Sequence, residues 1–288
     1  MSRRAPALRR SRASVRPAAV GMAVAFFLVA ALALIPFWAM LVGTFQDGDM
    51  LIRYGLNLGI DLSQAHVKNY VMLFTDSGPY FGWFANSLVL TTVQVIGTLL
   101  VSSFVAYGFA MYEFRFKRAM FVLVLILLTI PFEMLMLPLY VQTNAMGLAD
   151  SYAAIVLPFL AQAATIFFFR QYLVGVPQEI LEAGRLDGVT EFGIFFRLVV
   201  PLMKPAFGAM AILNGMASWN NFLWPLLVLR SPEKYTLPIG LNTLLTPYGN
   251  NYSLLIVGAF FSMFPILLLF FAFQRFFVEG MTAGSVKG

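Results

Sequence analysis

The chain has 288 residues, of which 60% are hydrophobic and only 11% charged, with a net charge of +6 and a mean hydropathy of +0.81. No soluble domain needs that much apolar surface, so the composition points to an all-α polytopic membrane protein. Zero Cys excludes disulfides, thiol catalysis and cysteine metal sites, and the single His66, in a hydrophilic loop, argues against a histidine-based metal site or triad.

Residues 1–17 carry Arg3, Arg4, Arg9, Arg10, Arg12 and Arg16 ahead of an apolar run at about 18–44. Secretory signal peptides also begin with a basic stretch, but this run is long enough to span and shows no small-residue cleavage site. The expectation is a basic cytoplasmic N-terminus followed by a retained first transmembrane helix. Residues 45–82 are polar, with Asp47, Asp49, Asp61 and Asp76, and read as an external loop. A second span at about 83–112 ends in the basic turn Glu113–Arg118, and a third, at about 119–143, is broken by Pro131 and Pro138. A turn at 144–150 without Lys or Arg leads to a fourth span at about 152–173. The charged loop 174–204, a fifth span at about 205–229, an external loop at 230–251 and a last span at about 252–277 follow. Residues 83–279 thus form a core of five spans, and 280–288 read as a small, polar cytoplasmic tail.

With both termini inside, the outer loops hold only Arg53, Lys68, Arg230 and Lys234, and every other Lys and Arg falls in a cytoplasmic segment. That bias favours six spans with the 174–204 loop inside; the inverted topology would place the Arg-rich start outside. Basic residues distributed this way report topology, not nucleic acid.

The chain has no Gly-rich loop followed by Lys-Ser or Lys-Thr, no nucleophile elbow, no HExxH pair and no paired-carboxylate site. The sequence therefore contains no catalytic centre, cofactor site or metal site of its own. Any energy coupling has to come from a partner.

Three stretches stand out against this apolar background. The loop at 174–204 carries Glu179, Glu182, Arg185, Asp187, Glu191 and Arg197, so it must lie in water on one membrane face. Pro177 suits a first helical position, Glu179 and Glu182 favour a helix N-terminus, and Asp187-Gly188 is a stop signal. Thr190 caps a second short helix running to Pro201. The expectation is helix, turn, helix, with Ala183 and Gly184 small enough to let another backbone approach; a plain connector between spans is the alternative. Glu133, on the third span between the two prolines, lies roughly 15 residues beyond the basic turn. At about 1.5 Å per residue that places it past the bilayer midplane, where a carboxyl either faces a water-filled pathway or makes an interhelical hydrogen bond. On the fifth span, Asn214, Ser218 and Asn221 share one helical face, with Trp219, Asn220 and Trp224 beside them. Amides beside flat aromatic faces suit a neutral, hydroxyl-rich ligand such as a sugar, and equally suit helix packing.

Glu182-Ala183-Gly184, three residues, Gly188, nine residues and Leu198-Val199-Val200-Pro201 resemble the cytoplasmic EAA loop of ABC importer permeases, with Gly184 where the family usually has Ala. The ending Gln274-Arg275-Phe276-Phe277-Val278-Glu279-Gly280, the run from Trp219 to Pro225, Tyr235-Thr236-Leu237-Pro238 and Asn86-Ser87-Leu88 resemble the maltose-type second permease of carbohydrate importers. The resemblance covers the chain from about Phe84 onward, and the N-terminal third matches in layout only.

The resemblance implies the type I importer permease fold in a bacterial or archaeal plasma membrane. It implies a heterodimer with a homologous second permease, two ATP-binding subunits that hold the ATP and magnesium, and an extracytoplasmic sugar-binding protein. It casts Glu182, Ala183, Gly184, Asp187 and Gly188 as the coupling helix docked on the ATPase, and it reaches the 230–251 loop toward the binding protein. Permeases for other solutes share the coupling loop, and an ion-coupled secondary transporter would need no cytoplasmic partner. An intramembrane enzyme would need paired catalytic groups at one depth, which the spans lack.

Overall fold

A computed structural model describes residues 17–282, apart from 56–57, 60–62, 64, 76–77 and 246–249. The Arg-rich start and the end of the polar tail lie outside the described residues. Everything described is helix or connection. The helices are α1 (Pro17–Gly43), α2 (Gly48–Tyr54), α3 (Lys68–Thr75), α4 (Tyr80–Met111), α5 (Lys117–Thr129), α6 (Phe132–Ala145), α7 (Tyr152–Val156) and α8 (Ala163–Leu173). They continue with α9 (Glu179–Leu186), α10 (Glu191–Ile194), α11 (Val200–Leu202), α12 (Lys204–Trp219), α13 (Leu223–Val228), α14 (Leu237–Thr243) and α15 (Tyr252–Thr282).

Four stretches are long and apolar enough to cross a membrane without a sharp bend: 20–43, 80–111, 152–173 and 252–276. Two more arise if each bent pair counts as one span. The third predicted span is such a pair: α5 stops at Thr129, Ile130 is extended, and α6 leaves at 108°. Pro131 causes this, because the residue before a proline is pushed out of the helical region. The second pair bends by 79° where Met203 separates 191–202 from α12. The fifth predicted span also breaks at 220–222 before α13. The last helix runs on to Thr282, past the predicted end of its span.

The packing centres on α4, which lies against α8 and α12, while α12 packs along α15. The α12–α15 approach is close because two glycines line the seam. A Cβ at Gly208 would lie 2.5 Å from Phe276 Cβ, and one at Gly215 would lie 2.3 Å from Leu269 Cδ2. Small residues permit such contact where lipid offers no hydrophobic drive for helices to associate. α1 is exposed along nearly all its length and joins the bundle only around Ala39 and Val42.

The 45–82 segment, read as irregular from sequence, is fastened to the bundle by hydrogen bonds. Buried Asn69 donates to the carbonyls of Thr44 (3.0 Å) and Gln46 (2.7 Å), and the Thr44 hydroxyl meets that of Tyr70 at 2.6 Å. The Gly48 N–H donates to Ser253 Oγ at 3.0 Å, tying α2 to the start of α15.

The absence of Cys makes the topology directly testable. Single cysteines introduced as Arg115→Cys and Asp187→Cys should react with an impermeant maleimide only from the cytoplasmic side, and Glu233→Cys only from outside. The reverse pattern would invert the six-span arrangement.

Candidate functional site

One face of α4 carries Ser87, Thr91, Gln94, Thr98 and Ser102, spaced by three and four residues so that they stack along the helix. A buried polar group without a partner costs about 1–3 kcal/mol, so these side chains draw partners toward α4. Ser87 Oγ accepts the Leu237 N–H at 2.7 Å. The Thr98 hydroxyl donates to the Phe159 carbonyl at 2.8 Å, and Ser102 donates to the Leu160 carbonyl at 3.3 Å. Gln94 donates to Thr98 Oγ1 at 3.2 Å, and Ser218 reaches Thr91 at 3.4 Å.

Around this stripe lies a cavity of roughly 170 Å³, walled by α4, α12, the 155–162 segment and the start of α14. Asn214, Ser218 and Asn221 all line it, as their helical spacing predicts, although a break in the helix precedes Asn221. They differ in what they have left to offer. Asn214 is buried and already donates to the Met210 carbonyl (2.9 Å) and to Thr165 on α8 (3.2 Å). Ser218 is engaged with Thr91. The Asn221 N–H donates to the Ser218 carbonyl at 3.2 Å, but its side-chain amide makes no hydrogen bond among the described residues, and the buried Thr236 hydroxyl has no partner there. Gln94, Gln162 and Thr236 join the lining, and sequence reading missed them although Gln94 lies on the periodic polar face of α4. Among the described residues no charged side chain lines this cavity, and Phe132 and Phe159 supply its aromatic walls.

The tryptophans do not. The sequence sets Trp219 and Trp224 beside the amides as ring faces for a ligand, and the structure turns both into the packing. Trp219 donates Nε1–H to the Ser262 carbonyl at 3.0 Å, edge-on to Phe84. Trp224 is fully buried and donates to the Ala154 carbonyl at 3.0 Å. An indole inside a bundle needs an acceptor for its N–H, and these carbonyls fix where the rings lie. Asn220 folds back on the Met216 carbonyl at 2.9 Å, closing the end of α12.

Glu133 also lies elsewhere than its count along a continuous third span implies. The 108° bend re-aims α6, so distance along the chain no longer measures depth. Phe132 enters the cavity wall while Glu133 is exposed, with no hydrogen bond or ion pair among the described residues.

The 174–204 loop is the second site. α9 begins at Glu179 rather than at Pro177, with Glu179 and Glu182 in its first turn, and it ends where Gly188 takes φ +74°. Thr190 caps α10 by accepting the Gly193 N–H at 3.2 Å. The chain then widens into a π-helical turn at Phe195–Val199, where Val200 bonds back to Phe195. Pro201, which lacks an N–H, could not have continued the tighter ladder.

Gly184 is small for a reason internal to the chain. A Cβ there would lie 2.9 Å from Leu198 Cδ1 and 3.1 Å from Ile194 Cγ1, so α9 is pressed onto the following helix, not held open for an outside backbone. The outward face holds Glu182, Ala183, Asp187 and two exposed apolar side chains, Leu186 at 90% and Phe192 at 70% exposure. Arg185 pairs with Glu191 at 2.7 Å, and Glu191 accepts the Tyr112 hydroxyl, which anchors the loop to the end of α4.

At the opposite end, Asp150 closes a latch that sequence reading did not find. Its carboxylate accepts the N–H groups of Arg230 (2.9 Å) and Ser231 (3.1 Å), the Ser231 hydroxyl (2.5 Å) and Lys234 Nζ (2.8 Å). These donors, the Arg230 N–H first, hold the Asp150 carboxyl well below its usual range. A depressed carboxyl stabilises the fold above its unfolded pKa, and that stability is lost as pH falls through the folded value.

The family described as binding-protein-dependent transport system inner membrane component matches residues 98–283. The arabinooligosaccharides transport system permease protein AraQ of Bacillus subtilis is 49% identical over 93% of this chain and 96% of its own length. The lactose transport system permease protein LacG of Rhizobium radiobacter is 36% identical over 90% and 93%. A crystal structure of a bacterial ABC transporter involved in import of the acidic polysaccharide alginate includes a chain that superposes with a TM-score of 0.77. At 20% identity that likeness concerns the fold; it covers 95% of this chain and all of that one.

Hydrogen exchange tests the latch. Residues 229–236 should stay protected from neutral pH down to about pH 4, the usual carboxylate range, and loosen below it. Asp150→Asn should exchange faster at neutral pH and lose that acid dependence.

Proposed function

The chain belongs to the family of binding-protein-dependent transport system inner membrane components, and from that membership we propose that it forms half of the translocation pathway of an ATP-driven importer of neutral oligosaccharides. It is a multi-pass membrane permease subunit and not an enzyme. In this reading its partners are a homologous second permease, two ATP-binding subunits that carry ATP and magnesium, and a sugar-binding protein outside a bacterial plasma membrane. Six spans with both termini inside place the coupling loop next to the ATPase.

The observation that carries the cargo assignment is the cavity lining. It offers amides, hydroxyls and two phenylalanine rings, and no charge among the described residues. A sugar leaving water must exchange its hydroxyl hydrogen bonds for protein ones, while its C–H faces rest on aromatic rings. An acidic polysaccharide would call for cations instead. The names of the relatives, for arabinooligosaccharides and for lactose, support an uncharged oligosaccharide, and the higher identity of the first favours arabinose units. Ligand pockets commonly measure about 300–1,000 Å³. At roughly 170 Å³ this cavity is one part of a site that the second permease completes. In this reading Glu133, exposed next to Phe132, stays open to that subunit.

Transport follows from the two ends. The sugar passes from the binding protein to the polar stripe of α4, where Asn221, Thr236, Gln94 and Gln162 exchange hydrogen bonds with it. ATP-driven closure of the ATPase pair pushes on Glu182, Ala183, Leu186 and Asp187 of α9. Gly184 passes that push to Ile194 and Leu198, and Arg185 and Glu191 pass it to Tyr112 on α4.

Asn221→Leu should weaken uptake by about tenfold, the effect of about 1.4 kcal/mol from one unpaired sugar hydroxyl, with the complex assembled and basal ATPase activity intact. Asn214→Leu should instead lower the thermal stability of the subunit, because it leaves the buried Thr165 hydroxyl only a long 3.5 Å bond to Gln162. Normal uptake in Asn221→Leu would remove this face from the pathway.

Coupling is tested separately. Glu182→Lys and Gly188→Val should abolish uptake or release the ATPase while the spans stay folded. The first reverses a charge on the docking face, and the second forces a β-branched residue into a left-handed backbone. Normal transport by a normally assembled complex in both variants would overturn the docking role.

A further inference from the structure

The turn between α4 and α5 contains a feature that transport does not use. A pocket of about 370 Å³ lies between this turn and the last turn of α8, lined by Glu113, Phe114, Phe116, Lys117, Arg118, Phe121 and Arg170. It lies on the same membrane face as the coupling segment, since Tyr112, which opens the turn, is bonded to Glu191.

Two features of the pocket are electrostatically unfinished. Arg170 Nε is buried without a hydrogen-bond partner, while its guanidinium lies 4.0 Å over the Phe121 ring. A buried charged donor without an acceptor is costly, and the stack fixes the plane of the fork that an anion would meet. At the same place α5 begins with Lys117 and Arg118, and its first turn has no acidic residue. Cations at a helix N-terminus oppose the helix dipole. The preceding Phe116 supplies no capping group and is held at φ +66°, a conformation that bulky residues rarely adopt. The Glu113 carboxylate in the lining is paired with Lys117 at 2.7 Å, and among the described residues Arg118 and Arg170 have no ion pair.

A topology signal alone would place cations anywhere in the turn, fully in water. It does not account for a guanidinium stacked inside a pocket with an orphaned donor. An anion with oxygens would satisfy that donor, neutralise the two arginines and complement the uncapped helix start. Phe114 and Phe116 are exposed apolar walls beside these cations, so the ligand that fits is amphiphilic.

We propose that this pocket binds the headgroup of an anionic phospholipid from the leaflet on the coupling-segment side, with Arg118 and Arg170 holding the phosphate and Phe114 and Phe116 against the glycerol and upper acyl chains. Basic pockets at helix ends on the cytoplasmic side suit such headgroups. The site lies on α8 and on the turn that follows α4, so an occupied pocket braces α8 against the helix that carries the cavity's polar stripe.

The test is native mass spectrometry of the complete importer complex titrated with phosphatidylglycerol, phosphatidylcholine or inorganic phosphate. Phosphatidylglycerol should remain bound, and phosphatidylcholine should bind more weakly. Arg118→Gln and Arg170→Gln should each lower phosphatidylglycerol affinity about fivefold, on the order of one basic residue's contribution near an anionic surface. Arg170→Lys should fall between, keeping the charge but losing the fork. If Arg170→Gln fails to assemble, the exposed Arg118→Gln still decides the matter. Equal phosphatidylglycerol binding in wild type and Arg118→Gln, or phosphatidylcholine binding as tightly as phosphatidylglycerol, would overturn the proposal. Displacement of phosphatidylglycerol by inorganic phosphate at millimolar concentration would show a free-anion site and overturn the lipid assignment.

Discussion

In the bundle the polar face of α4 has to be answered by protein, because no bulk water reaches the middle of a membrane. Ser87, Thr98 and Ser102 reach the Leu237 N–H and the Phe159 and Leu160 carbonyls, and each bond fixes a different segment against α4. The 157–162 segment interrupts its span with irregular backbone, and this face holds it together with the start of α14. Irregular backbone at that depth is tolerated when it is buried in protein or lines a cavity, and here Phe159 and Gln162 line one. The cavity is what remains where the stripe runs out of internal partners, at Asn221 and Thr236.

The same constraint explains why the tryptophans and the amides of the fifth span part company. An indole has one donor and is satisfied by one carbonyl, so Trp219 and Trp224 were settled within the bundle. An amide has more hydrogen-bonding capacity than one neighbour can use. Asn214 spends its capacity on Met210 and Thr165, while Asn221, past the end of α12, keeps its own.

How much of this was legible in the sequence depends on the range of the interaction. α1, α4 and α15 stand out because hydropathy sustained over twenty or more residues is a strong local signal. The turn at Gly188 and the Thr190 cap were legible too, since both are set by residues within three positions of each other. The α5–α6 break was visible as Pro131, but its angle was not, so Glu133 was assigned a depth along a straight span that does not exist. The Asp150 latch was hidden, because its donors at Arg230 and Ser231 lie 80 and 81 residues away and no local pattern marks them. Gly184 was read as room for a neighbour, and the neighbour proved to be Ile194 and Leu198 of the same loop.

Among the six candidate spans, α4 alone has neither an internal proline nor a break in its helix. At about 1.5 Å per residue its 32 residues make a rod of roughly 48 Å. One end grips the 230–251 loop, where Asn86 donates to the Glu233 and Tyr235 carbonyls; the other meets Glu191 through Tyr112. A rod without a joint cannot absorb a displacement along its length. Whatever the 174–204 loop does to Tyr112 therefore arrives at the 233–237 segment by the other end of the helix, and the cavity-lining face between them moves with it, as one stroke.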